Sequence, residues 1–109
     1  MTNFNIIGAT ACPSGVAHTY IAAEALEKAF KKAGHNVNIE TQGSIGIENE
    51  LTKEQIRNAD YVILTTDISI KNEERFKGKP IVRVSITDVI KKSDAIVKKL
   101  EQHYASKHK

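Results

Sequence analysis

Hydrophobic and polar positions along the chain predict strands that alternate with helices. Apolar residues, several of them β-branched, occupy four segments of strand length: residues 4–9, 36–40, 61–65 and 81–84. Residues 20–33 place apolar side chains at helical spacing, and Gly34 follows where a left-handed glycine would end the helix. A last helix is predicted from Thr87 to about Gln102, and residues 103–109 are expected to fray.

The connections between these segments carry shorter signals. Thr52 and Gln55 have the spacing of a capping box, which predicts a short helix through about Asn58. Residues 41–49 contain two glycines and several small polar residues, so we expect a loop there. One helical turn is expected near residues 72–76.

This alternation predicts an α/β fold with helices on both faces of a parallel sheet. We expect a three-layer α/β/α, Rossmann-like architecture with a central four-stranded parallel sheet in the order 2-1-3-4. Consecutive apolar residues at Val62, Ile63 and Leu64 are typical of a strand buried on both faces. Ligands of such folds bind where the carboxyl ends of the strands meet, so the segments that follow the first three strands are expected at the binding edge.

The composition suits a soluble globular protein. The 109 residues fit one domain, expected over residues 1–103 with a frayed tail at 104–109, and 40% are hydrophobic and 27% charged. A single cysteine excludes an intrachain disulfide. No signal peptide is visible, and no stretch approaches the roughly 18 apolar residues of a membrane span. A cytoplasmic location is therefore expected.

The net charge of +3 raises the question of a nucleic-acid partner, which we do not expect. Much of the excess lies in lysines of the last helix and tail. The chain has three phenylalanines, three tyrosines and no tryptophan, without the basic and aromatic interleaving of proteins that bind single strands. Net charge alone indicates solubility and non-specific attraction, and an acidic protein partner would explain it equally well.

The one cysteine, Cys12, is the candidate reactive group. It stands between the first apolar strand and the first amphipathic helix. The free N–H groups and positive dipole end of a helix lower the pKa of a thiol, and they also bind phosphate. The following residues are candidates for a phosphate cradle, through backbone amides and two hydroxyls: Ser14, Gly15, Val16, Ala17, His18 and Thr19.

Structural alternatives exist for these residues. A lone cysteine is more often a small buried hydrophobe, although the proline, serine and glycine that follow Cys12 are typical of a turn. His18 would serve equally well as a helix-capping residue. The four histidines of the chain have no metal-site spacing, so no metal is expected.

Cysteine phosphatases and phosphocarriers both place a cysteine in such a loop. The tyrosine-phosphatase pattern is Cys-x5-Arg, in which the arginine binds phosphate through two hydrogen bonds. Six residues after Cys12 stands His18, and no Asp-Pro dipeptide supplies the acid usual in that family. A loop that lacks both the arginine and the acid suits a carrier, which must keep its phosphocysteine intact. A small cysteine-dependent phosphatase and a non-catalytic regulatory module are the alternatives.

Three segments are distinctive: CPSGVAHTYIAAEAL at residues 12–26, ETQGS at residues 40–44 and RFKGKP at residues 75–80. Together they closely resemble the fructose-type IIB domain of the bacterial phosphoenolpyruvate-dependent sugar phosphotransferase system. The resemblance spans nearly the whole chain in order and spacing. Ser14 stands where the family usually has threonine, and Tyr20 where it usually has phenylalanine or a similar residue. Residues 67–74 are less typical.

The resemblance implies a phosphotransferase that accepts phosphate from a phosphohistidine of a IIA protein onto Cys12. It implies transfer onward to a sugar bound by the membrane transporter IIC, with no cofactor beyond the transient phosphocysteine. Fructose is the default sugar, and mannitol or a mannosyl conjugate are alternatives. The chain would be a cytoplasmic monomer without a transmembrane segment, associating with the inner face of the membrane through IIC. The ETQGS segment would lie beside the phosphate cradle, or form a sharp loop that needs Gly43.

Overall fold

Strands and helices alternate along the chain. The computed structural model describes residues 4–11, 16–43 and 46–107, without the side chains of residues 16, 17 and 107. Within these residues the strands are β1 (Asn5–Ala11), β2 (Asn36–Gly43), β3 (Gly46–Glu48), β4 (Tyr61–Thr65) and β5 (Ile81–Val84). The helices are α1 (Val16–Lys32), α2 (Lys53–Asn58) and α3 (Ile86–Lys107), and a 3-10 helix spans Glu73–Phe76.

The described strands form one mixed sheet in the order β3-β2-β1-β4-β5. β1 pairs in parallel with β2 and β4, and β4 pairs in parallel with β5. β3 is antiparallel to β2 and adds a fifth strand at that side of the sheet. The α/β class is confirmed. The prediction of a four-stranded, fully parallel sheet was wrong, because the antiparallel β3 makes the sheet mixed and changes its full order from the predicted 2-1-3-4. The four predicted strands, which are β2, β1, β4 and β5, lie side by side in that order.

The error arises at residues 41–49, which were expected to form a loop. β2 continues through Thr41 and Gln42 to Gly43, and β3 then returns beside it with Glu48 opposite Thr41. Thr41 and Gln42 are polar yet buried. The hydrophobic pattern therefore predicts a strand that ends at residue 40, whereas β2 continues to Gly43.

Helices cover both faces of the sheet. On one face α1 and α3 pack over a core in which Leu26 and Phe30 of α1 are fully buried. On the other face a second cluster contains Ile7 of β1 and Phe76 of the 3-10 helix, with Ile56 of α2 packed against it. The three-layer arrangement follows, because the central strands bury apolar side chains on both faces.

Close packing between β1 and β4 requires the glycine at position 8. A Cβ atom built on Gly8 would lie 2.6 Å from the Ile63 carbonyl oxygen of β4 and 3.1 Å from Ile39 Cδ1 of β2. Backbone cannot move away as a flexible side chain can, so a larger residue would push the neighbouring strands apart.

Helix α1 starts at Val16, earlier than the predicted residue 20, and ends as predicted. Gly34 has a φ of +89°, the left-handed conformation expected for a helix-ending glycine. Its N–H donates to the Lys31 carbonyl at 2.9 Å, and the His35 N–H donates to the Phe30 carbonyl at 2.9 Å. These two bonds form a Schellman motif, which satisfies carbonyls of the last turn.

Several short elements agree with their predicted positions. Thr52 Oγ1 accepts from the Gln55 N–H at 3.1 Å, and Gln55 Oε1 accepts from the Thr52 N–H at 2.9 Å, so the capping box begins α2. Every residue of β4 is buried, as its apolar run predicts. The expected helical turn near residues 72–76 is the 3-10 helix.

Helix α3 was predicted to end near Gln102, and it continues to Lys107. The ring centroid of Tyr104 lies 4.9 Å from that of Phe4 and 6.4 Å from that of Tyr61. These contacts fix the last turns of the helix against the start of the sheet. The frayed end predicted from local sequence was wrong up to residue 107, because packing with distant residues supports it.

Candidate functional site

The predicted reactive segment connects the end of β1 to the start of α1. β1 ends at Ala11 and α1 begins at Val16, which leaves residues 12–15 between them. Cys12, Ser14 and Gly15 lie outside the described residues, so their assigned roles stay predictions. The described residues on either side show what surrounds this segment.

Ala11, which directly precedes the cysteine, is held by a hydroxyl of the neighbouring strand. The Ala11 N–H donates to Thr65 Oγ1 at 3.0 Å, and the same hydroxyl donates to the Ala11 carbonyl at 3.3 Å. Ala11 and Thr65 are 1% and 2% exposed. Thr65 therefore fixes both backbone polar groups of the residue from which the reactive segment starts.

The first turn of α1 lies on the other side of that segment. Val16 and Ala17 contribute backbone there, the His18 side chain is exposed, and Thr19 is buried. Thr10 Oγ1 donates to the Thr19 carbonyl at 3.1 Å, while Thr19 Oγ1 has no hydrogen-bond partner among the described residues. The first N–H groups of a helix have no partner within the helix, and this turn carries no acidic residue to repel an anion.

A buried ion pair stands at the same edge of the sheet. Arg75 Nη1 donates to Glu40 Oε1 at 2.8 Å, and Arg75 Nη2 donates to Glu40 Oε2 at 2.6 Å. The side chains are 17% and 0% exposed, respectively. Two further donors reach the carboxylate: the Leu51 N–H at 3.0 Å and Gln42 Nε2 at 2.7 Å. Each oxygen of Glu40 thus accepts two hydrogen bonds.

This environment keeps Glu40 ionised. Burial alone would raise the pKa of its carboxyl, but the hydrogen bonds that it accepts, first of all those from Arg75, hold the pKa below its ordinary value. A carboxylate offers about four acceptor sites, and all four are occupied here. Glu40 is therefore unsuited to exchange protons or to bind a further group.

Gln42 extends the network to the connection between β4 and β5. Its Nε2 donates to the Lys71 carbonyl at 3.2 Å, and its Oε1 accepts from the Lys71 N–H at 2.8 Å. In the sheet Gln42 pairs with Ala11, the residue before Cys12. The loop interpretation of the ETQGS motif was wrong for Thr41 through Gly43, which belong to β2, whereas Glu40 lies in the strand as predicted.

A second contact joins the sheet to α1. The hydroxyl of Tyr20 hydrogen-bonds to Glu48 of β3, and this bond raises the pKa of Tyr20. Tyr20 and its neighbour Ile21 are 37% and 47% exposed, and Ile68, in the segment after β4, is 40% exposed. Large apolar side chains thus reach the surface in α1 and in a segment that follows a carboxyl strand end.

The described part of the chain holds neither a metal-ligand cluster nor a membrane-spanning helix. No group of three or more histidine, cysteine, aspartate or glutamate residues there is arranged to hold a metal ion. No helix there is long and apolar enough to cross a membrane.

Comparisons with known proteins assign the family. The family model described as the lactose/cellobiose-specific IIB subunit of the PTS system matches residues 7–99. The fructose-like EIIB component 2 of Escherichia coli K12 is 66% identical over 100 residues, which cover 92% of this chain and 94% of that protein. The fructose-like EIIBC component of the same organism is 43% identical over 101 residues, which cover 91% of this chain and 21% of that protein.

Solved structures of related proteins support the same family assignment. A solution structure of an enzyme IIB subunit of the PTS system from Escherichia coli K12 superimposes with a TM-score of 0.92 at 38% identity, covering 99% of this chain and all of that one. A domain of the fructose-specific IIABC component of Borrelia burgdorferi gives a TM-score of 0.83 at 50% identity, covering 89% of this chain and 92% of that one. The chain belongs to the IIB family of the sugar phosphotransferase system, as its motifs predicted, and is a component of a phosphotransferase.

The sequence does not reveal that the ETQGS and RFKGKP motifs are in contact. Glu40 and Arg75 are 35 positions apart, and only the fold brings them together. No local signal was available, because Glu40 follows Asn36 and Asn38 at alternate positions of the strand, where a solvent-facing side chain is expected.

Proposed function

We propose that this chain is the phosphocarrier of a fructose-family sugar transporter and that Cys12 carries the phosphoryl group. The donor is a phosphohistidine of a IIA protein, and the final acceptor is a sugar bound by the membrane protein IIC. The protein works as a cytoplasmic monomer at the inner face of the membrane. It needs no cofactor beyond the transient phosphocysteine.

The proposed chemistry is two successive displacements at phosphorus. The Cys12 thiolate attacks the phosphorus, an S–P bond forms, and the N–P bond of phosphohistidine breaks with its electron pair returning to the imidazole. In the second step a sugar hydroxyl oxygen attacks, and an O–P bond forms as the S–P bond breaks. The pair returns to sulfur and the hydroxyl proton leaves to a base. Such transfers depend chiefly on positioning and charge stabilisation.

The observation that carries the proposal is the position of Cys12 in a member of the IIB family. The cysteine follows Ala11, which Thr65 fixes, and precedes α1 by a few residues. The N–H groups at the start of a helix have no partner within the helix, so the backbone of the first turn of α1, which begins at Val16, suits the oxygens of a phosphoryl group. The buried Thr19 hydroxyl, without a partner among the described residues, is a candidate further donor.

Fructose is the proposed sugar, because the relatives at 66% and 43% identity are named fructose-like components. Another relative, 46% identical over 92 residues, is named as specific for 2-O-alpha-mannosyl-D-glycerate. A mannosyl conjugate and mannitol are therefore the sugars to compare with fructose, each with membranes that contain the matching transporter.

Labelling by the phosphorylated upstream proteins tests the proposal. We expect one phosphate per chain by intact mass, resistant to alkali and released by iodine as a thiophosphate is, and no labelling of Cys12→Ser. A Cys12→Ser variant that is labelled, or a wild-type chain labelled on histidine, would refute the assignment. Steady turnover of p-nitrophenyl phosphate would favour a phosphatase. An unlabelled chain whose thiol pKa equals that of free cysteine would favour a regulatory module.

A further inference from the structure

The ion pair between Glu40 and Arg75 is unusual because so little of it is exposed to solvent. The Glu40 side chain is fully buried, and the Arg75 side chain is largely shielded from solvent. Burying two charges carries a large desolvation cost, and apolar residues of similar volume often stabilise a fold as well or better. Stability alone is therefore a weak reason for such a pair, and the segments that it joins suggest a stronger one.

The network fastens three segments to the end of β2. Glu40 accepts from the backbone of Leu51, ahead of α2, and from the Arg75 side chain in the 3-10 helix. Gln42 makes two hydrogen bonds with the backbone of Lys71, much as a neighbouring strand would. Between these attachment points Asn72 has a φ of +59°, the left-handed conformation that asparagine adopts more readily than most residues other than glycine.

The same residues adjoin the strand that leads to Cys12. Glu40 pairs with Ala9 and Gln42 with Ala11 in the parallel ladder between β1 and β2. Ala9 and Ala11 are 0% and 1% exposed. A shift of the end of β2 would therefore be transmitted to Ala11 and to the residue after it.

We propose that Glu40, Gln42 and Arg75 are positioning residues for phosphoryl transfer at Cys12. They hold the connection between β4 and β5 against β2, so that the binding edge has its working geometry before a partner arrives. None of them contacts the phosphoryl group in this proposal: the acceptor sites of Glu40 are filled, and its charge is balanced by Arg75. The inference rests on the proposed function of Cys12.

The test removes both charges together. In Glu40→Gln/Arg75→Met the amide oxygen still accepts a hydrogen bond, and no buried charge is left without its partner. We expect a folded protein whose rate of phosphorylation at saturating phosphorylated IIA falls about tenfold to a hundredfold, the loss typical of misplaced reacting groups. The KM for phosphorylated IIA should change less than about threefold, because the reacting geometry and not the docking surface is altered.

A matched control lies in the same connection. Glu73 of that connection forms a more exposed ion pair with Arg83 of β5, at 33% and 54% side-chain exposure. The same replacements there, Glu73→Gln/Arg83→Met, should leave the transfer rate within about twofold of wild type, since exposed pairs contribute little. Gln42→Met keeps the ion pair of Glu40 with Arg75 and removes the bonds of Gln42 to Lys71 and to Glu40, and it should show a smaller loss of rate than the double variant.

Each result has one meaning. If the folded Glu40→Gln/Arg75→Met protein transfers phosphate at the wild-type rate, or loses no more than its control, the positioning role is refuted. If that variant is unfolded, Gln42→Met decides, and a wild-type rate for folded Gln42→Met refutes the proposal. Failure of the proposed function would look different, because the wild-type chain itself would then not be labelled at Cys12.

Discussion

Replacing Thr65 by valine tests how firmly the start of the reactive segment is held. Valine has nearly the shape of threonine and lacks the hydroxyl, so Thr65→Val removes both hydrogen bonds to Ala11 with little change in packing. The Ala11 N–H is then left buried without that acceptor. Leaving a buried polar group unpaired costs about 1–3 kcal/mol. For a domain of about this size each kcal/mol lowers the Tm by about 4 °C, so a decrease of about 4–12 °C is expected.

Two assays on the same protein separate stability from function. Urea unfolding gives the free energy of unfolding, and under the proposed function the rate of phosphorylation by phosphorylated IIA reports the geometry at Cys12. Thr65→Ser is the matched control, because it keeps the hydroxyl and loses only a methyl group. We expect Thr65→Val to be less stable than Thr65→Ser and slower in phosphorylation while still folded. A valine variant as stable as the serine variant would show that the hydroxyl bonds to Ala11 contribute nothing.

Two further predictions concern acid stability and strand packing. Because the pKa of Glu40 is lowered by folding, its ionisation stabilises the protein above the unfolded-state value near 4.5, and this contribution disappears as the pH falls through the lower folded-state pKa. Urea titrations of the wild type below about pH 4.5 should therefore show a loss of stability that Glu40→Gln/Arg75→Met lacks, and equal acid sensitivity of the two proteins would contradict this reasoning. Gly8→Ala should lower the free energy of unfolding by about 1–3 kcal/mol, because the Cβ of the alanine would lie 2.6 Å from the Ile63 carbonyl oxygen. An unchanged urea midpoint would show that β1 and β4 have room to separate.

Local sequence signals correctly predicted the elements that are determined by residues close together in the chain. The capping box of Thr52 and Gln55 begins α2, Gly34 ends α1, and the apolar run of β4 is buried throughout. Each of these signals acts within a few residues, through a hydrogen bond or a backbone conformation. Such effects are visible without knowledge of the fold.

Features that depend on distant contacts were missed. Thr41 and Gln42 were assigned to a loop because they are polar, and their burial is visible only once β3 pairs beside them. The last turns of α3 were expected to fray, and Tyr104 is held by the ring of Phe4 from the other end of the chain. Burial of polar residues and aromatic contacts across the chain have no local signature.

For the candidate site, too, the local motif was informative and the contacts between distant residues were not predicted. The motif around Cys12 indicated phosphate chemistry and the family, and the comparisons confirmed the family. The roles of Cys12 and of residues 14–19 stay predictions. Neither the bonds of Thr65 to Ala11 nor the ion pair of Glu40 with Arg75 was predicted, because each joins residues from different strands or connections.

The contact between Tyr104 and Phe4 has a consequence for fusion proteins. Phe4 precedes the first residue of β1, so both ends of the described chain lie at the amino end of the sheet, away from Ala11 at the other end of that strand. A tether that continues from either end of the described chain would start on that far side. A covalently joined neighbour would then leave the approach to the carboxyl end of β1, and to the proposed phosphoryl transfer there, unobstructed.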